Sequence, residues 1–268
     1  MLSPSSPSAS EFATFDWSSL VAGGFADRVE YFPSLASTND HARDRAASLP
    51  YHEMLLVVAD EQTAGRGRGT NRWWTGSGSL PFSLLFDPAR RNIERRCYPM
   101  ISLAAAIALV ETAAAISGRF DVGLHWPNDV FVGNRKLAGV LIEALTDGRH
   151  VLGIGCNVNN RSIGAPPELA PNVTSLADVT DRMHLRTELL MEILERLSKR
   201  LDELATQPHR VGQRANELCL QHGSCLTVRA GTRETSGICA GVASDGALLL
   251  ETPSGRQSLY SGVLVKNR

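Results

Sequence analysis

The sequence predicts an α/β domain running to about residue 220, followed by a small all-β domain. Three patterns carry that reading. Apolar runs of strand length recur before residue 160, a Gly-Asn dipeptide at 133–134 links two such runs as a hairpin would, and short β-like runs punctuated by glycine fill residues 225–260. At 268 residues the chain can hold one large core with a small appendage.

The first 28 residues open as MLSPSSPSASEF, without the basic start and apolar core of a signal peptide, and read as a flexible lead-in. Residues 29–32 form a short strand. Ser37, Thr38 and Asn39 are helix-capping types, and a helix is expected from there to Ser48. Residues 51–59 and 80–86 are buried strands, the second interrupted by Pro81, which predicts an edge or a bulge because proline has no N–H for a ladder. The most apolar segment, 100–116, is shorter than a membrane span and contains Glu111, so a buried helix is expected. Residues 122–132, 136–143 and 150–158 read as an antiparallel meander. Glycines 153 and 155 weaken its last strand, as residues do where a ligand or another backbone comes close. Proline-rich residues 159–173 are loop, and apolar residues at helical spacing predict a packing helix over about 185–204.

A formal net charge of -1 supplies no global field toward nucleic acid or membrane, so anion binding has to come from a local cluster. Cysteines 97, 156, 219, 225 and 239 are scattered, with no C-x-x-C pair. This argues against a disulfide framework or a structural zinc and makes a reducing cytoplasm the natural setting. The candidate cluster is QTAGRGRGTNRWW, residues 62–74, hung between two core strands. Glycines 65, 67 and 69 allow close backbone approach. Arg66, Arg68 and Arg72 with backbone N–H groups suit phosphate or carboxylate oxygens, and the tryptophans supply a wall. No Walker loop, dinucleotide fingerprint, nucleophile elbow or H-E-x-x-H pair is present. The remaining donors, cations and amides, Lys136, Gln62, Asn39, Asn128 and Asn157 among them, fit phosphoryl or nucleotidyl chemistry by positioning and charge neutralisation.

The order S-T-N at 37–39, Q-T-A-G-R-G-R-G at 62–69 with a following Trp, W-P-N-D at 126–129, R-K-L-A-G-V-L-I-E at 135–143 and G-I-G-C-N-V-N at 153–159 resembles biotin protein ligase. The form it resembles is monofunctional, without an N-terminal DNA-binding domain. The resemblance implies a mixed, largely antiparallel sheet flanked by helices, akin to class II aminoacyl-tRNA synthetases and lipoate ligases, over residues 29–220. It implies an SH3-like barrel over 221–268. It implies ATP and biotin as substrates with Mg²⁺, formation of biotinyl-5′-AMP, and transfer to a lysine of a biotin carboxyl carrier protein by a cytoplasmic monomer or homodimer.

The implied residue roles follow the motifs. Lys136 and Arg68 are catalytic, Lys136 lying between the biotin carboxylate and the α-phosphate. Ser37, Thr38, Asn39 and Gln62 line the biotin end, with Gly65, Arg66, Gly67 and Arg68 closing over ligand. Gly139, Leu141 and Gly155 wall an apolar slot. Trp73 packs over the adenylate, Asn128 and Asn157 lie near the adenine, and Asp129 orients Lys136. No side-chain metal ligand is assigned. His125 stands where the family often has lysine, and a partial charge is expected there at neutral pH. Asn71 stands where an arginine often meets phosphate, with Arg72 beside it. A lipoate-type acyl ligase on the same fold is the alternative. A biotin-sensing repressor is disfavoured because the residues before the first motif leave no room for a helix-turn-helix, so no sequence-specific nucleic-acid binding is expected.

Overall fold

Helix α1 (Ser18–Ala22) precedes strand β1 (Arg28–Leu35), and α2 (Thr38–Ala46) then carries the chain across to β2 (Leu55–Gln62). A helical crossover allows parallel pairing, and β1 and β2 are parallel in register from Arg28↔Leu55 to Leu35↔Gln62. Every later pairing is antiparallel. Strand β3 (Leu80–Phe86), helix α3 (Ile101–Ser117), β4 (Val122–His125), β5 (Asp129–Val132), β6 (Arg135–Ala144) and β7 (His150–Cys156) complete a seven-stranded sheet ordered β1-β2-β3-β7-β6-β5-β4. The computed structural model describes residues 11–13 and 15–265.

Helix α3 ends at Gly118, whose positive φ of 65° lets its N–H close on Ala114 O. Apolar on all sides, α3 packs between the sheet and α5 (Arg186–Thr206) as the core helix, although Arg95–Ser117 is long and apolar enough to cross a membrane by composition. Glu111, its internal charge, pairs with Arg200 at 2.9 Å on α5 and with Arg214 at 3.0 Å on α6 (Pro208–Glu217). The short α4 (Leu176–Thr180) begins with a reciprocal cap between Ser175 and Asp178. Neither α4 nor α6 was expected, since five residues and a polar ten-residue stretch carry too little apolar period.

Three sequence expectations are corrected. Within the lead-in, residues 1–10 and 14 lie outside the described residues, but Phe12 and Leu20 are fully buried. Phe12 sits 5.6 Å from Trp17 and 5.9 Å from Tyr31 between ring centroids, and Arg186 lies over it at 4.5 Å while pairing with Glu11. Aromatic spacing within residues 12–20 outweighs the Ser/Pro composition. Pro81 is neither at an edge nor in a bulge: it sits opposite Gly155 in an unbroken β3–β7 register, beyond the point where the β2 ladder stops at Phe82. The run 122–132 is two strands, β4 and β5, because Trp126-Pro127-Asn128 turns the chain back on itself.

The last five strands, β8 (Cys225–Ala230), β9 (Arg233–Val242), β10 (Leu248–Thr252), β11 (Gly255–Leu259) and β12 (Val263–Val265), form an antiparallel sheet ordered β11-β10-β9-β8-β12. Trp126 joins the two sheets. It is buried, its backbone N–H donates to Gln221 Oε1 at 2.7 Å and its indole donates to Gly246 O at 3.0 Å in the β9–β10 turn. Trp126→Phe leaves that carbonyl without its donor, and urea denaturation is expected to show a loss of about 1–3 kcal/mol.

Candidate active site

The site is built on a patch of sheet in which three of four neighbouring residues are glycine. The β6–β7 register sets Gly139 opposite Gly155 and Leu141 opposite Gly153, with all four residues on one face. Other groups therefore lie directly on the backbone. A Cβ on Gly155 would come within 2.4 Å of Trp73 Cε2, and one on Gly153 within 1.9 Å of Asn39 Oδ1. At Gly139 it would meet Asp129, Lys136 and Trp73, each at 3.2 Å. Above this floor opens a cleft of about 850 Å³.

One end of the cleft is polar and fixed. Ser37 caps α2 by accepting from the Asp40 N–H. Gln62 Oε1 accepts from the Thr38 N–H at 2.8 Å and Thr38 Oγ1 at 3.0 Å. The Ser83 hydroxyl lies 2.6 Å from Asn39 Oδ1, and Asn39 Nδ2 donates to Glu143 at 2.8 Å. Both amides thus have one orientation.

The glycine-arginine loop is a hairpin closed on itself: Gly67 N–H donates to Asn71 O, Asn71 N–H to Arg68 O and Trp73 N–H to Gly65 O, with Gly69 at φ 62°. Its arginines diverge. Arg66 turns to Asp40, at 3.0 Å, and Glu143. Arg68 reaches Asn128 Oδ1 at 3.4 Å across the cleft.

Lys136 pairs with Asp129 at 2.7 Å, and its Nζ stands 5.5 Å from the Trp73 ring centroid. Trp73 Nε1 is buried with no hydrogen-bond partner among the described residues. His125 stacks on Phe131 with centroids 3.8 Å apart and planes at 11°. Burial pushes its pKa below the ordinary value; Asp129 opposes that shift and Lys136 adds to it. The shift favours the uncharged ring over the partial charge expected there. Asn128 Nδ2 donates to Val140 O, while Asn157 accepts from Asn160 at 2.8 Å and its Nδ2 lies 3.5 Å from Lys136 O. Both amides thus spend donors on strand β6.

Every residue singled out from the sequence as a site residue lines this one cleft except Gly65, which sits behind it against the Trp73 carbonyl. Asn71 and Arg72 line it as well. Sequence reasoning marked Gly153 and Gly155 together as close-approach positions but gave a site role to Gly155 alone, and it gave no role to Glu143, the last residue of a quoted motif. Ser83 and the second sheet's Gly262, Val263 and Leu264 carry no local signal. Among the described residues, no group of three His, Cys, Asp or Glu side chains is placed to hold a metal ion.

Residues 31–159 match the biotin/lipoate A/B protein ligase family, and residues 223–266 match the biotin protein ligase C terminal domain. The chain is 30% identical over 230 residues to the biotin–[acetyl-CoA-carboxylase] ligase of Paracoccus denitrificans, covering 82% of this chain and 93% of that protein. It is 32% identical over 215 residues to the bifunctional ligase/repressor BirA of Bacillus spizizenii, covering 78% of this chain and 65% of the relative's length. Among solved structures, the Aquifex aeolicus biotin protein ligase in complex with biotin and ATP superposes with a TM-score of 0.77 at 26% identity, over 89% of this chain and 97% of that one.

The shifted His125 ring generates a pH dependence. The folded state resists a proton that the unfolded chain accepts near pH 6.5, so this stabilisation is full above about pH 6.5 and is lost as pH falls. His125→Phe is expected to flatten the fall in urea midpoint between about pH 6.5 and 5. An unchanged slope would contradict a folded state that disfavours the charged form of this half-buried ring.

Proposed function

Because the chain belongs to the biotin/lipoate A/B protein ligase family, we propose that it is an ATP-dependent biotin protein ligase. It activates biotin to biotinyl-5′-AMP and joins the biotinyl group to a lysine of a biotin carboxyl carrier protein. The observation that carries this reading is the convergence of Lys136, held by Asp129, and Arg68 on one cleft floored by Gly139 and Gly155. The second match, to a domain specific to biotin protein ligases, favours biotin over lipoate. In the same reading residues 29–220 are the catalytic domain, and the domain from 221 onward contributes its Gly262–Leu264 edge to the cleft mouth.

The bicyclic ring and valeryl chain lie on the glycine floor against Leu141, with the ring's polar head among Ser37, Thr38, Asn39 and Gln62. Trp73 now lies flush on Gly155, so seating a ring there lifts the indole off the sheet and onto the ligand. The Gly65–Arg68 hairpin covers the ligand pair. A carboxylate oxygen then attacks the α-phosphorus, a P–O bond forms, and pyrophosphate leaves with the electron pair of the broken bond. Two anions repel each other on approach, and Lys136 and Arg68 offset that repulsion in a site shielded from water. Asp129 keeps the ammonium aimed. Mg²⁺ enters with the triphosphate as part of the substrate, which suits an ion that keeps its waters and few protein ligands. In the second step the deprotonated carrier amine attacks the acyl carbon, a C–N bond forms, the acyl C–O bond breaks with its electron pair leaving on AMP, and the nitrogen gives up one proton to solvent. Asn128 and Asn157 act here by holding β6, and with it Lys136, in place.

The test is biotin-dependent exchange of labelled pyrophosphate into ATP by the purified protein, followed by transfer to a carrier domain; absence of both from folded protein overturns the assignment. Lys136→Ala is expected to lower exchange about 10²–10³-fold with the melting temperature retained. Near-wild-type exchange would remove Lys136 from the reacting centre.

A further inference from the structure

Glu143 ends the R-K-L-A-G-V-L-I-E run and has no part in the reaction as described above. It stands on β6 beyond the last β5 pairing, Asp129↔Gly139, so its strand edge is open at the polar end of the cleft. Its Oε2 accepts from Asn39 Nδ2 at 2.8 Å and from Arg66 Nη2. Arg66 in turn reaches Asp40 at 3.0 Å, and Asp40 pairs with Arg43 at 2.6 Å. One carboxylate therefore joins three pieces of chain: the start of α2, the hairpin over the cleft, and β6.

We propose that Glu143 is a positioning residue, which tethers the hairpin through Arg66 and fixes the amide of Asn39 at the biotin end. The geometry separates the two arginines of G-R-G-R-G. Arg66 is bracketed by two carboxylates, so its charge is spent on holding the hairpin down, whereas Arg68 faces the cleft. The tether ends on Asn39, which lies directly on Gly153, so hairpin closure and the shape of the biotin end are coupled through one side chain. Losing the Glu143 charge frees the hairpin, and Arg68 with it, and lets the Asn39 amide rotate, while Lys136 and Asp129 on β6 and β5 keep their pairing.

This inference rests on the biotin ligase reading only for its kinetic arm. Glu143→Gln, Arg66→Gln and the double variant are compared with wild type by hydrogen exchange over residues 65–73, by KM for biotin and for ATP, and by melting temperature. In each single variant the hairpin amides, including Trp73 N–H on Gly65 O, are expected to exchange faster, and the KM for biotin to rise about tenfold, well beyond any rise in that for ATP, with the melting temperature nearly unchanged. The double variant is expected to fall short of the sum of the two singles, as partners in one shared contact require. Wild-type exchange in the hairpin, parallel rises in both KM values, or additive effects would overturn the proposal. If Glu143→Gln does not fold, the more exposed Arg66→Gln carries the same expectations. Wild-type protein without pyrophosphate exchange would overturn the ligase reading, while hairpin hydrogen exchange would still decide the tether.

Discussion

The pairing of Gly139 with Gly155 in the β6–β7 ladder is the constraint on which the site depends. A sheet ordinarily raises a side chain at every second residue on each face. Here one face is bare for two strands' width, and bulky groups rest on the peptide planes themselves. Trp73 lies on Gly155, Asn39 on Gly153, and Lys136, Asp129 and Trp73 meet above Gly139. A Cβ at Gly153 or Gly155 would displace the group resting on it, and one at Gly139 would press its three neighbours back by a few tenths of an ångström. The β6–β7 register follows from the turn at 145–149, where Leu145 N–H donates to Arg149 O and Gly148 has a φ of 98°, while Asn128 and Asn157 bond the β6 backbone on either side of Gly139.

Charge is placed with similar economy. The chain is nearly neutral, so no long-range field draws anions in. Within the cleft, Asp129 fixes the Lys136 ammonium, Arg68 reaches across to Asn128, and Arg66 is already neutralised by carboxylates. His125, stacked on Phe131 and favoured in its uncharged form, adds shape more than charge. The cations left to meet a carboxylate and a phosphate are thus few and come from different elements, the glycine-arginine hairpin and β6, as a site needs when it must bring two anions together without trapping either.

Much of this was legible in the sequence, for a physical reason. Strands β3 and β7 and helix α3 are continuous apolar runs whose burial leaves them little choice of state, and the Gly-Asn turn marks its hairpin locally. The glycines at 153 and 155 announced a close approach because nothing else explains two of them inside a buried strand. What escaped were features set by distant partners. Phe12 and Leu20 are core residues only because β1 and α5 lie beneath them. Pro81 is tolerated centrally because β2 stops short of it. Asn128 and Asn157 read as ligand amides, yet their donors go to β6, and the diverging directions of Arg66 and Arg68 depend on the hairpin that carries them.

The bare floor is the most exposed part of this account, and Gly155→Ala tests it with one methyl group. Its Cβ would fall 2.4 Å from Trp73 and raise the floor of the slot. Biotin-dependent pyrophosphate exchange is expected to fall by about 10²-fold or more with the melting temperature nearly unchanged, since the lost fit lies at the reacting groups and not in the core. Exchange within about threefold of wild type in folded Gly155→Ala protein would show that nothing needs to lie on that strand, and would contradict the account.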